Sequence, residues 1–220
     1  MTADAVTPWA ERVADRSEAV QRSRARQIEQ AHAIVAAARR LIVERGDQFT
    51  TQDLVKEAGV ALQTFYRIFG GKDQLLLAVF EDLIAESCAG YERAAETLPD
   101  PVARLHFYVS VTVGGVTEAN YGIGPRFVTA EHWRLHQLFP DEMAHATQHF
   151  TDMVARQLTL AVEEGLATSA DVPGDSWFIT KLVMATFHHY AYSEVLTDRS
   201  VIAEDLWSFC LRAIGGTESR

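Results

Sequence analysis

The sequence predicts an all-helical chain in two parts, on three observations. Apolar residues recur at three- and four-residue steps in segment after segment from Ser17 to Ile214, the spacing of one helix face. Glycines and prolines stand between those segments, notably Gly46, Gly59, Pro99, Pro101 and Gly165, where they end one helix and let the chain turn. No segment alternates apolar and polar residues for long enough to demand a strand, and no internal repeat is evident. With 220 residues, 48% of them hydrophobic, the chain can bury a sizeable helical core.

Residues 1–21 are assigned to a flexible N-terminal tail, since Pro8 and small polar residues leave little periodicity there, although a helical pattern sets in at Ser17. Ile28, Ala31, Ile34, Val35, Ala38, Leu41 and Ile42 then mark the apolar side of a helix that Gly46 stops. Its early turns carry Arg22, Arg24 and Arg26, which suit either a phosphate backbone or a plain solvated helix start. From Thr50 to Lys72 two short helices are pinned around a tight turn. Thr50 and Asp53 have the spacing of a capping box, and Leu54, Val55 and Ala58 form an apolar side. Gly59, with no Cβ, takes the left-handed conformation that reverses the chain. Phe65 and Phe69, four apart, face inward on the second helix. Gln63, Thr64, Tyr66 and Arg67 are left on its other side or margins, the make-up of a helix that enters a DNA groove.

The run DLVKEAGVALQTFYRIFGGKDQL resembles the DNA-binding signature of the TetR family of transcriptional regulators, with specific matches from about Ile34 to Leu83. The resemblance implies an N-terminal three-helix helix-turn-helix domain over residues 22–72 and a helical effector-binding and dimerisation domain over residues 73–220. It also implies a ligand-responsive regulator, a repressor acting as a cytoplasmic homodimer on a near-palindromic operator and released by a small molecule. Position by position, Thr50, Thr64, Tyr66 and Lys72 are expected on phosphates, and Gln63 and Arg67 on base edges. The chain departs from the family pattern at Leu62 and Gln63, which leaves the base sequence it reads open.

Charge agrees with this division. Residues 22–72 hold nine Lys and Arg against five Asp and Glu, whereas the whole chain stands at −10. A basic module attached to an acidic remainder suits a protein that meets phosphate with one end. Cys88 and Cys210, with no signal peptide in sight, suggest reduced thiols, and no apolar run reaches the ~18 residues of a membrane span.

Beyond Lys72, Leu75, Leu76, Val79, Phe80, Leu83 and Ile84 form one stripe of a helix from Asp73 to Tyr91 linking the two domains. Pro99 and Pro101 break the pattern. Further helices are expected over 102–116, 126–138, 140–165, 175–196 and 200–214, with a loop at 120–125 and a connector at 166–174. The last two carry more apolar residues than one monomer face needs, among them Trp177, Phe178, Leu182, Phe187, Ile202, Leu206 and Phe209. This predicts a four-helix dimer interface.

Enzyme-like and metal-like constellations are weak. His132 with His136 and His145 with His149 are i,i+4 pairs, but neither forms an HExxH motif and each lacks a third ligand in sequence. Ser87-Cys88 has no nucleophile elbow, and Gly122-Ile123-Gly124 lacks the rest of a phosphate-binding fingerprint. No catalytic set, metal or cofactor is expected. The large apolar side chains of the second part instead suggest an effector pocket formed by Phe107, Phe127, Trp133, His136, Phe150, Met184, His188 and Tyr192, with His106 and His132 as further polar anchors. The expected effector is largely apolar, and neutral or cationic. The alternative from another class is a helical small-molecule or metal-binding protein with no role on DNA.

Overall fold

The computed structural model describes residues 17–46, 48–114, 125–192 and 198–217; within them every regular element is a helix. The chain divides into two compact units, Met1–Leu75 and Leu76–Arg220.

In the first unit α1 (Glu18–Arg45) packs on α2 (Thr51–Ala58) and α3 (Leu62–Phe69). Its turns up to Glu29 are exposed and Ile28 is half-exposed, so only the C-terminal half contributes core, through Ile34, Val35, Ala37, Ala38, Leu41 and Ile42. Phe49, Leu54, Phe65 and Leu75 complete the buried set. Of the expected tail, residues 18–21 are helical, Ser17 is the N-cap before them, and residues 1–16 lie outside the described residues.

Helix α4 (Lys72–Ala95) runs on into the second unit, followed by α5 (Pro101–Gly114), α6 (Pro125–Leu138), α7 (Pro140–Glu163), α8 (Val172–Tyr192) and α9 (Arg199–Ala213). Helix α5 packs against α7 and α9, and α8 against α6 and α7. The largest fully buried side chain is Trp207 of α9, within a core that includes Leu105, Tyr108 and Val109 of α5, Met153 and Leu158 of α7, and Ile179 and Val183 of α8. Two backbone bonds, Thr168 N–H to the Ile214 carbonyl (2.9 Å) and Thr217 N–H to the Leu166 carbonyl (3.0 Å), tie the end of α9 to the segment after α7.

Helix α8 starts three residues before the expected position. Asp171 explains the difference: its carboxylate accepts the Gly174 N–H at 3.1 Å, an N-cap that tolerates Pro173 in the first turn. The expected loop at 120–125 falls almost wholly outside the described residues.

Trp207→Ala should lower the unfolding free energy by about 3–5 kcal/mol, the usual cost of emptying a fully buried indole site. Urea denaturation of the full chain measures it, and a loss below about 1 kcal/mol would contradict the placement of this side chain.

Candidate nucleic-acid interface and candidate ligand cavity

The helix-turn-helix is fixed at its ends. Thr50 Oγ1 accepts the Asp53 N–H (3.1 Å), and the Asp53 carboxylate accepts the Thr50 backbone N–H (2.9 Å) and hydroxyl (2.6 Å), closing the capping box. The bond from the Thr50 hydroxyl, then that from its backbone N–H, hold the Asp53 carboxyl below its ordinary pKa. Gly59 lies in the left-handed region (φ 66°, ψ 28°), its N–H turned back to the Lys56 carbonyl and that of Val60 to the Val55 carbonyl.

Helix α3 then presents two sides of opposite character. Phe65 is fully buried, against Tyr66 (ring centroids 5.1 Å) and Phe69 (6.1 Å). Gln63, Tyr66 and Arg67 are exposed and Thr64 is half-buried. The Arg67 guanidinium donates to Gln30 Oε1 of α1 at 3.4 Å, a long contact that holds it loosely. Lys72 is placed differently from the other expected phosphate ligands. Its ammonium donates to the Phe49 carbonyl at 3.3 Å and lies 4.2 Å from the centroid of the Phe49 ring, so it braces the residue just before the Thr50 cap. Thr50 already spends its hydroxyl on the box.

Within the second unit, α4, α5, α6, α7 and α8 surround a cavity of about 100 Å³. Apolar cavities of about 150 Å³ take up benzene, so this one has the scale of a single ring. Its wall comprises Phe80, Leu83, Ile84, Ser87, Cys88, Tyr91, Thr112, Val128, His132, Thr147, Phe150, Thr180, Met184, Phe187 and His188. Of the eight residues expected around a pocket, Phe150, Met184 and His188 line it. Phe107 packs against the core instead; Trp133 and Tyr192 are about half exposed, the Tyr192 hydroxyl donating to the Arg126 carbonyl at 2.9 Å. Phe127 is half-buried and His136 exposed, and neither lines the cavity. His106 is engaged elsewhere, 2.8 Å from Glu204 and stacked on Trp207.

Sequence reasoning did not assign Phe80, Leu83, Cys88, Tyr91 and the three threonines to this wall. The threonines carried a readable signal, a hydroxyl on the buried side of an apolar helix. Each donates to a carbonyl one turn back: Thr112 to Tyr108 (2.8 Å), Thr147 to Met143 (3.2 Å), Thr180 to Ser176 (2.8 Å). Burial pushes the Cys88 thiol up to about 12, Glu92 adding to it, so it remains protonated and unreactive at neutral pH.

The histidines differ from these hydroxyls. His188 is 8% exposed, with Nδ1 3.0 Å from the Thr129 hydroxyl and Nε2 without a hydrogen-bond partner. His132 has its ring centroid 4.4 Å from that of His188, and its buried Nδ1 is likewise unpartnered. Burial lowers both rings to about 4; for His132, His188, His136 and Lys181 push in the same direction. Both are neutral at pH 7. No Lys, Arg, Asp or Glu is among the described residues of the wall. His145 and His149 each lie 3.7 Å from Glu81, and no group of three or more metal-ligating residues suited to an ion occurs among the described residues.

Residues 34–79 match the family model described as bacterial regulatory proteins, tetR family. The HTH-type transcriptional regulator EthR of Mycolicibacterium smegmatis is 37% identical over 71 residues, which is 31% of this chain and 33% of the relative. The chain thus aligns with about a third of that relative's length, over a single stretch. Two solved structures share the fold: RolR in complex with resorcinol (TM-score 0.66, 19% identity, 87% of this chain and 90% of that one) and Thermus thermophilus FadR in complex with lauroyl-CoA (TM-score 0.65, 18% identity, 86% and 97%).

The buried neutral imidazoles make stability depend on pH. The unfolded chain protonates each ring near 6.5 and the fold only near 4, so the unfolded state binds more protons between these values. Their contribution is complete above about pH 6.5 and is lost as the pH falls towards 4. In His188→Phe the fall in unfolding free energy across this window should be shallower, by at most about 1.4 kcal/mol per pH unit. An unchanged slope in acid-side denaturation curves would contradict it.

Proposed function

Given that this chain belongs to the TetR family through its N-terminal domain, we propose that it is a non-enzymatic transcriptional regulator, a repressor whose hold on operator DNA is released by a small-molecule effector. The observation that carries this reading is α3 itself, buried through Phe65 on one side and exposing Gln63, Tyr66 and Arg67 on the other, beside a turn locked by Thr50 and Gly59. Gln63 and Arg67 meet base edges. Thr50, Thr64, Tyr66 and Lys72 face the backbone, Lys72 also bracing the cap. The site of action is the cytoplasm, where operator DNA is accessible, and no described helix is long and apolar enough to cross a membrane.

The cavity is the effector site. RolR holds resorcinol and FadR lauroyl-CoA, and a cavity of about 100 Å³ supports an occupant of the former's size. Helix α4 transmits occupancy: six of the lining residues, Phe80 to Tyr91, lie on it, and its first residue is Lys72, which braces Phe49. An effector with a hundredfold preference for the arrangement that cannot hold DNA supplies about 2.7 kcal/mol per site.

Retention of the protein on fragmented genomic DNA, followed by sequencing, tests the reading: a near-palindromic site with half-sites about 34–36 Å apart is expected, and retention without sequence preference would overturn it. On the site so found, Arg67→Ala should cost about 1–3 kcal/mol and relax the preference at one position per half-site, as for a guanidinium paired with guanine. Unchanged affinity and preference would remove Arg67 from that role.

A homodimer through α8 and α9 accounts for the side chains they leave outside. Phe187, Val183 and Ile214 are buried in the monomer, whereas Trp177, Phe178, Val201 and Phe209 are each about half exposed or more. Burying such rings against a symmetry mate is strongly favourable, whereas single exposed apolar residues are ordinary. Phe178→Glu combined with Phe209→Glu should give a folded monomer by sedimentation at micromolar concentration, where the unaltered chain sediments as a dimer.

A further inference from the structure

We propose that the effector is an uncharged, single-ring compound bearing a hydroxyl, a phenol in the chemical sense, whose ring fills the cavity between α4 and α8 and whose hydroxyl is held by His188 Nε2 and His132 Nδ1. This deepens the regulatory reading and rests on it for the word effector; the binding itself does not depend on DNA. Three observations on the cavity converge on that class.

The first is size: about 100 Å³ has the scale of one ring, and Phe80, Phe150 and Phe187 supply aromatic edges and faces for it. The second is the distribution of hydrogen-bonding capacity. The hydroxyls of Thr112, Thr147 and Thr180 already donate to their own helices, whereas His188 Nε2 and His132 Nδ1 are buried in the wall and have no partner. A buried polar nitrogen without a partner is costly, and a ligand that pairs it recovers that cost. The rings' tautomers are free to adjust, with His188 Nδ1 against the Thr129 hydroxyl at 3.0 Å, where either group donates. A hydroxyl both donates and accepts, so it serves an Nε2–H and a bare Nε2 alike, as a carboxylate or an ammonium does not.

The third is charge. With no Lys or Arg among the described residues of the wall and both imidazoles held neutral by burial, a carboxylate would be stripped of water with no counter-charge, and with no carboxylate among those residues an ammonium would fare no better. Neutral ligands are selected by exclusion. A site built to pair a hydroxyl also rejects the hydrocarbon of the same shape, because that ligand leaves the nitrogens unpaired.

Calorimetry of the full chain at pH 7.5 with phenol, toluene and benzoate tests this. Phenol is expected to bind at least tenfold more tightly than toluene, and benzoate at least tenfold more weakly than phenol. In His188→Phe the phenol preference should fall below about twofold with toluene binding retained; His132→Phe, at a half-buried position, gives the same readout if the first variant does not fold. Equal binding of phenol and toluene, tighter binding of benzoate, a preference that survives both substitutions, or no binding of phenol at millimolar concentration would each overturn the assignment. DNA release is scored separately on the genomic site. Phenol bound with the expected preference but leaving DNA held would overturn the regulatory reading and leave the ligand class standing, whereas release by toluene as readily as by phenol at equal occupancy, with equal affinities, would do the reverse.

Discussion

A chain made only of helices satisfies its backbone within each element, and the physical problem moves to the ends, where four N–H and four C=O groups per helix lack an internal partner. Every arrangement described above depends on how those ends are closed. The Thr50–Asp53 box and the left-handed Gly59 set the angle at which α3 leaves α2. Asp171 lets α8 begin at Val172, Asp198 caps α9 through the Ser200 N–H, and Gly165 and Gly215, both at positive φ, release the chain from α7 and α9. Side chains then need only supply one apolar stripe per helix.

This is why so much of the fold was legible. Capping boxes, stop glycines and N1 prolines are local chemistry, and a three- to four-residue apolar spacing is local geometry, so the helices and the helix-turn-helix follow from neighbours in sequence. The misplacement of the α8 start is of the same kind, an Asp–Val–Pro opening read as connector. What local patterns cannot supply is which apolar faces close on one another and which stand apart around a space. Trp133 and Phe150 look alike as sequence, large and aromatic on amphipathic helices, yet one is half exposed and the other lines the cavity. His136 and His188 differ in the same way, and the deciding contact for His188, Thr129, lies 59 residues away.

Lys72 shows the limit from another direction. Its position at the first turn of a helix suggests an anion, and the motif agrees, but its ammonium is already drawn to a carbonyl and a ring 23 residues earlier. A side chain of three donors is not restricted to one task. In this chain the first residue of α4 and the residue before the Thr50 cap are tied, so the ends of the helix-turn-helix are held by a bond that neither short helix contains.

The threonines that donate inward to their own helices have a consequence for how such a molecule diversifies. Their hydroxyl protons are engaged by their own helices, so among the described residues of the wall the buried side-chain nitrogens left without a partner are those of two imidazoles on two different helices. After gene duplication, a change of one or two codons at positions 132 and 188 would rewrite the polar character of the wall while leaving the stripes that fold the domain untouched. Descendants of this chain would therefore drift apart in what their cavities admit well before they differ in architecture.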